Sequence, residues 1–201
     1  MDLSSRPDTV PTEDLLGTAI GRRAARRLVG VPLRDLRRRN VAELTAEYGL
    51  SETAARRVAA VSELAVRHAA EPLQPGQALA SSRAVYEHYG PRLRDLEVEQ
   101  FHVVLLDGKH RVVRTVLVSQ GTLTSSPVHP REVFRPAIRA SAAAVVLVHH
   151  HPSGDPTPSA DDLDVTRRLV DAGELVGIRV LDHVICGWEG YVSLADRGLM
   201  R

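Results

Sequence analysis

The chain has a single cysteine, few aromatic residues and no long apolar run. Because Cys186 is that cysteine, no intrachain disulfide can form. No apolar run approaches the ~20 residues that a transmembrane helix requires. The N-terminus lacks the basic start and the apolar core of a signal peptide. These absences predict a cytoplasmic protein that is not inserted in a membrane, with Cys186 as a buried thiol.

Lysine is nearly absent, since Lys109 is the only one and arginine supplies every other basic side chain. The formal net charge is +1, so composition indicates no general preference for polyanions. The charge is uneven, however, because residues 1–70 carry an excess of arginine and residues 71–201 an excess of acids. A glycine-rich phosphate-binding loop is also missing, which argues against a nucleotide-dependent enzyme.

Proline and glycine content places a domain boundary in the middle of the chain. The stretch EPLQPGQALA, residues 71–80, has the composition of a linker. We therefore predict a helical domain over residues 1–70, a linker over residues 71–81 and a larger domain over residues 82–201.

The first domain reads as a set of short helices at residues 32–39, 41–48 and 51–68, with Asn40 and Ser51 as N-caps. The turn at residues 49–51 resembles the hairpin of a helix-hairpin-helix module, whose backbone amides can hold a DNA phosphate. Here Ser51 replaces the second glycine of that hairpin. Two readings stay open, DNA binding and a helical docking module with solvated basic faces. The arginines concerned are Arg22, Arg23, Arg26 and Arg27, with a second cluster at residues 37–39.

The second domain mixes helices and strands without a repeated βαβ pattern. Apolar periodicity and turn residues predict helices at residues 82–89, with an end at Gly90-Pro91, and at residues 130–142, followed by a helix after Ser159. Strands are predicted at residues 101–106, 112–118, 142–148, 178–181, 183–186 and 191–194. The expected fold class is α/β (α+β), a mixed sheet flanked by helices.

The segment HHHPSGDPTPSADD, residues 149–162, follows the most apolar strand and precedes a helix. Since strand side chains alternate faces, His149 and His151 point the same way, with Cα atoms roughly 6.6 Å apart. Two such imidazoles can share a divalent metal, and the third ligand is Asp155, Asp161 or Asp162. Three protein ligands and a water describe a hydrolytic zinc site. The alternative is that Asp162 only completes a capping box begun by Ser159.

The same residues resemble a known family. His149-x-His151-Pro152, six residues, Ser159, two residues and Asp162 is similar to the JAMM (MPN-plus) metalloprotease signature. The flanking segments at residues 121–123, 129–132, 151–154 and 181–185 resemble its RadC branch. The resemblance implies a cytidine-deaminase-like α/β fold with one Zn²⁺ per chain, held by His149, His151 and Asp162.

A general base is still required. Glu97 and Glu99 both precede the predicted strand that begins at Phe101, and the residues alone do not separate them. The resemblance favours Glu99, because the glutamate of the family lies two residues before the aromatic residue. It also implies that Ser159 hydrogen-bonds the developing oxyanion.

Other histidines of the motif segments receive no catalytic role. His150 stands where the RadC branch usually has asparagine. Asp182 and His183 match a family segment, and we expect at most a hydrogen bond behind a metal ligand from them.

The leading functional prediction is a zinc-dependent hydrolase of peptide or isopeptide bonds, acting on a peptide or protein substrate. The alternative is a DNA-associated repair or recombination module that binds nucleic acid through residues 1–70, with or without catalysis. A metal-bound scaffold without activity is a third reading.

Overall fold

The computed structural model describes residues 10–69, 71–79, 81–94, 96–121, 128–188 and 190–200. The chain divides after residue 70 into two compact units. Thr122 and Leu123 of the family-like segment, and Glu189 of the turn before the last strand, lie outside the described residues. None of the described helices combines the length and the apolar character needed to cross a membrane.

The first unit is entirely helical over the residues described. Its elements are α1 (Thr12–Ile20), α2 (Arg22–Ala25) with a 3₁₀ turn at Arg26–Leu28, α3 (Leu33–Arg38), α4 (Val41–Tyr48) and α5 (Glu52–Ala69). Leu28, Leu36 and Leu44 are buried at its centre. Asn40 is the N-cap of α4, as the sequence predicts, and it forms a capping box with Glu43.

The second unit is a mixed five-stranded sheet flanked by helices, which confirms the predicted fold class. Its sheet has the order β2-β1-β3-β4-β5, and among these described strands β3 and β4 alone pair in parallel. Helix α8 makes the crossover between these two strands, so β3, α8 and β4 form a βαβ unit. The elements are α6 (Ser82–Leu93), β1 (Gln100–Leu106), β2 (Val112–Gln120), α7 (Pro130–Arg139), β3 (Ala144–His150), α8 (Ala160–Val176), β4 (Arg179–Cys186) and β5 (Tyr191–Ser193).

Strand β3 is buried along its whole length and separates two apolar cores. Val146 and Val148 face the core that includes α6. Val145 and Leu147 face the core that includes α7 and α8. Continuation of this alternation sends His149 toward α8, at the end of β3 where α8 begins.

Helix α6 extends beyond its predicted end at Gly90-Pro91. Pro91 lies inside the helix, and Leu93, 2% exposed, is buried against the sheet. A residue before proline resists the helical conformation partly through its Cβ, and Gly90 has none. Burial of Leu93 therefore outweighs the hydrogen bond that the proline removes.

The two strands predicted at residues 178–181 and 183–186 are one strand, β4. Asp182 interrupts the apolar pattern, but its carboxylate is satisfied inside the fold. It accepts hydrogen bonds from Oγ of Ser193 (2.7 Å) and from the backbone N–H groups of His183 (2.7 Å) and Ala195 (3.0 Å). A polar residue with this many partners does not end a strand.

The segment expected to be a linker packs on the second unit where the structure describes it. Leu73 and Leu79 are buried in the α6-side core. Ala78 forms an isolated antiparallel bridge with Arg111, directly before β2. Residues 71–79 therefore contribute to the core of the second unit rather than only connecting the two units.

Candidate metal centre

His149, His151 and Asp162 converge at the junction of β3 and α8. Nε2 of His149 lies 3.0 Å from Nε2 of His151 and 3.0 Å from Oδ1 of Asp162. Nε2 of His151 lies 3.2 Å from Oδ2 of Asp162. One ligand atom from each residue lies within 4.8 Å of the other two. Two imidazole nitrogens and a carboxylate in this arrangement could hold a divalent metal ion.

Asp162 also closes a capping box with Ser159 at the start of α8. Its Oδ2 accepts hydrogen bonds from the backbone N–H (2.7 Å) and the hydroxyl (2.6 Å) of Ser159. The backbone N–H of Asp162 donates to Oγ of Ser159 at 3.1 Å. The cap fixes the carboxylate through Oδ2 and leaves Oδ1 directed at His149. Capping and metal binding are therefore compatible uses of the same side chain.

The other two acids considered as ligands point elsewhere. The carboxylate of Asp155 accepts from the backbone N–H (2.9 Å) and the hydroxyl (2.7 Å) of Thr157. The backbone carbonyl oxygen of Asp155 lies 2.7 Å from Nδ1 of His151 and orients that ring. Asp161 is exposed. The structure thus brings Asp162, and neither Asp155 nor Asp161, to the two histidines.

The pKa shifts of Asp162 and His149 suit a bound cation. Burial raises the pKa of Asp162, but contacts with His149, His151 and Ser159 outweigh it and hold that pKa well below its ordinary value. Burial lowers the pKa of His149, which favours the neutral imidazole. The contact with Asp162 raises the pKa of the half-buried His151, so a metal ion would compete with a proton for this ring as the pH falls. A carboxylate beside a neutral imidazole is the state that metal coordination requires.

An unsatisfied atom marks the place where a cation would sit. Oδ1 of Asp162 is buried and makes no hydrogen bond with any described residue. Leaving a buried charged acceptor without a partner costs more than ~1–3 kcal/mol. A metal ion bound by His149, His151 and Oδ1 of Asp162 would remove that cost. These residues therefore fit the zinc ion that the family resemblance implies.

The structure separates the two candidate bases that the sequence left open. Glu99 lies directly before β1, its side chain is 13% exposed, and Oε1 is 4.0 Å from Nε2 of His149. Glu97 is exposed. The pairing of Phe101 with His149 across β1 and β3 explains the proximity, because it places the start of β1 beside the end of β3.

Two further polar residues lie behind His149. Nδ1 of His149 is 2.7 Å from Nε2 of His183 on β4, and Nδ1 of His183 is 2.6 Å from Oγ1 of Thr166 on α8. Thr166 is not among the site residues that the sequence predicts. Its position, one helical turn after Asp162, is the only signal in the sequence that could have indicated one.

The opposite face of the sheet carries His150 and Cys186, away from this cluster. Nδ1 of His150 accepts a hydrogen bond from the backbone N–H of Gln100 at 3.4 Å. Nε2 of the same ring lies 3.4 Å from the backbone carbonyl oxygen of Leu96. These contacts connect β3 to the segment that carries Glu99. Cys186 is a buried free thiol, as predicted, and burial raises its pKa to about 12.

The loop after His151 packs beneath the only tryptophan. The backbone N–H of Gly154 donates to the carbonyl of His151 (2.9 Å), and the backbone N–H of Trp188 donates to the carbonyl of Gly154 (2.9 Å). The indole covers the α-carbon of Gly154, and a Cβ there would overlap the ring. Trp188 is 45% exposed. The loop that positions His151 is thus held between β3 and the β4–β5 turn.

Comparison with known proteins gives one family match and many relatives. A family described as RadC-like JAB domain matches residues 79–199. A UPF0758 protein of Syntrophotalea carbinolica is 53% identical over 168 residues, which cover 84% of this chain and 74% of that protein. A UPF0758 protein of Methanosarcina acetivorans is 38% identical, and the match covers 99% and 91% of the two chains. Neither name states a reaction.

Replacement of Gly154 by alanine tests the packing of this loop. We expect the new Cβ to displace Trp188, because Gly154 has a φ of +83° and no space toward the indole. The fluorescence emission of this single tryptophan should shift to longer wavelength, and the free energy of unfolding should fall by about 1–3 kcal/mol. Gly108→Ala is the control, since a Cβ there meets nothing within 4 Å. Equal emission spectra for both variants and the wild type would contradict the packing.

Proposed function

The chain belongs to the RadC-like JAB domain family, and from that premise and the geometry of the site we propose that it is a zinc-dependent hydrolase of peptide or isopeptide bonds. The observation that carries the proposal is the convergence of His149, His151 and Asp162 around the unsatisfied Oδ1. His149 and His151 would bind zinc through Nε2 and Asp162 through Oδ1. Zinc held by three protein ligands supplies a Lewis acid that activates water near neutral pH.

Glu99 would serve as the general base. Its Oε1 is 4.0 Å from Nε2 of His149, so a water beside the cluster is within its reach. The carboxylate accepts a proton from the attacking water and donates it to the leaving amine, which needs that proton to depart. The side chain of Glu99 is largely buried, which supports this role because few bulk water molecules can reach the carboxylate and take part in the proton transfer.

Ser159 would stabilise negative charge on the substrate carbonyl oxygen. Its hydroxyl now donates to Oδ2 of Asp162, and its oxygen accepts from the backbone N–H of Asp162. Rotation of the hydroxyl hydrogen redirects the donor without breaking the contact with that backbone N–H. Oδ2 keeps the backbone N–H of Ser159 as a donor during the change.

Replacement of Glu99 by glutamine tests the assignment of the base. We expect hydrolysis of the amide that the wild type cleaves fastest, chosen from a panel of peptides and isopeptides, to fall about 10²–10⁴-fold. Zinc content should not change, because Glu99 is not a ligand in this account. Glu97→Gln, two residues away and exposed, should retain activity within about 2-fold of wild type. Full turnover in Glu99→Gln with full zinc content would refute the mechanism.

A second candidate function concerns the first unit, for which we propose binding to the DNA backbone. A concavity of about 570 Å³ is lined by Arg22, Arg23 and Arg27 together with the turn at residues 49–51. Ser51 caps the 18-residue helix α5 at this turn by accepting a hydrogen bond from the backbone N–H of Ala54 (3.3 Å). Arginine side chains beside a helix N-terminus are a combination that suits a phosphate group.

The dependence of duplex binding on salt tests this second function. Fluorescence anisotropy with a labelled duplex should show a log affinity that falls linearly with log salt concentration. Arg22→Ala/Arg23→Ala should reduce the magnitude of the slope by about 1–2, since each phosphate contact contributes ~0.9. The control is Arg37→Ala/Arg38→Ala, which removes the same charge from α3. Absence of binding at low salt, or equal effects of the two double variants, would exclude a specific role for the concavity.

A further inference from the structure

A continuous series of hydrogen bonds runs behind the candidate metal centre from α8 through β4 to β3. Oγ1 of Thr166 lies 2.6 Å from the carbonyl oxygen of Asp162 and 2.6 Å from Nδ1 of His183. Nε2 of His183 lies 2.7 Å from Nδ1 of His149. All three side chains are 0% exposed. Bulk water therefore does not compete for the hydrogen bonds of the series.

The direction of the series is set at the Asp162 carbonyl, because a carbonyl oxygen can only accept. At 2.6 Å, the hydrogen between it and Thr166 must come from the threonine hydroxyl. That hydroxyl has one hydrogen, so its oxygen can only accept from His183. The ring of His183 must then carry its hydrogen on Nδ1.

The hydrogen on Nδ1 of His183 in turn fixes the tautomer of His149. A neutral imidazole has one N–H, and in His183 that hydrogen is on Nδ1. Nε2 of His183 is therefore an acceptor, and Nδ1 of His149 must be the donor across the 2.7 Å contact. His149 is left with a bare lone pair on Nε2, the atom 3.0 Å from Oδ1 of Asp162. In this tautomer Nε2 donates nothing to Oδ1, which has no hydrogen-bond partner among the described residues.

We propose that Thr166 and His183 are positioning residues that hold His149 in its Nδ1–H tautomer, with the Nε2 lone pair directed at the metal. The proposal deepens the proposed function and rests on its metal site. Phe101 stacks on His149, with ring centroids 5.9 Å apart, and meets His183 edge-on at 5.4 Å. It therefore shields the series on its apolar side.

The arrangement also connects two ligands that come from different elements. Thr166 bonds the carbonyl of Asp162, and through His183 it orients the ring of His149. His151 has a simpler arrangement, since its Nδ1 lies 2.7 Å from the carbonyl of Asp155. Both histidines thus present Nε2 to the same point, each with Nδ1 held by an acceptor.

The first test reads the tautomers directly in the metal-free wild-type protein. Long-range ¹H–¹⁵N correlation spectra of ¹⁵N-histidine-labelled protein distinguish Nδ1–H from Nε2–H rings. We expect His149 and His183 both to carry the hydrogen on Nδ1. An Nε2–H ring at either residue would overturn the proposal. This measurement requires no variant and no bound zinc.

The second test compares Thr166→Val with Thr166→Ser. Valine keeps the shape but leaves Nδ1–H of His183 without its acceptor. We expect zinc affinity, measured by competition with a chelator, to fall about 10–100-fold in Thr166→Val, and serine to restore it to within about 3-fold. Thr45→Val is the matched control, because Thr45 makes the same hydroxyl bond to the carbonyl four residues earlier in α4 with no histidine beyond it.

The outcomes separate this proposal from the proposed function. Wild-type zinc affinity in a folded Thr166→Val would overturn the positioning role and leave the hydrolase intact. A wild type that binds no zinc would refute the hydrolase, and the tautomers of His149 and His183 would still decide whether the series is directed as proposed. If Thr166→Val does not fold, the wild-type spectra decide alone.

Discussion

The second unit depends on the way in which one buried carboxylate is satisfied. Asp162 has no exposed surface and remains ionised, which costs several kcal/mol unless partners replace the lost water. On the Oδ2 side the partners come from Ser159 and begin helix α8. On the Oδ1 side lies the imidazole of His149, at the end of β3. A cation at this point would satisfy the charge and join the strand to the helix.

The sheet supplies the remaining geometry. Strict alternation along the fully buried β3 sends His149 to the α8 side and His150 to the α6 side. Antiparallel pairing with β1 brings Glu99 to one side of the cluster, and parallel pairing with β4 brings His183 behind it. The end of β3 therefore supplies His149 and His151, α8 supplies Asp162 and Thr166, β4 supplies His183, and Glu99 comes directly before β1. The apolar cores on both faces of the sheet hold these elements in place.

The sequence predicted the part of the site that depends on local geometry. The period of a strand is enough to place His149 and His151 together, and a capping pattern is enough to place Ser159 at a helix start. Spacing alone did not choose among the acids, because the choice depends on Thr157 engaging the carboxylate of Asp155. Thr166 and His183 could not be paired from the sequence, since their contact requires the register of β4 against β3 and the rotation of α8.

The two wrong predictions of element ends also arise because tertiary contacts are not visible in the sequence. Pro91 and Asp182 are residues that normally end a helix and a strand, and both lie inside regular elements here. In each case a tertiary contact, the burial of Leu93 or the hydrogen bond from Ser193, outweighs the local preference.

Metal content tests the central claim most directly. Elemental analysis would be made on protein purified without a metal-affinity tag, for the wild type, for His149→Ala/His151→Ala and for His150→Asn. The last variant removes a histidine from the same strand end but from the opposite face of the sheet. We expect about one zinc per chain in the wild type and in His150→Asn, and none in the double variant. A wild type without stoichiometric metal, or a double variant that retains it, would contradict the account.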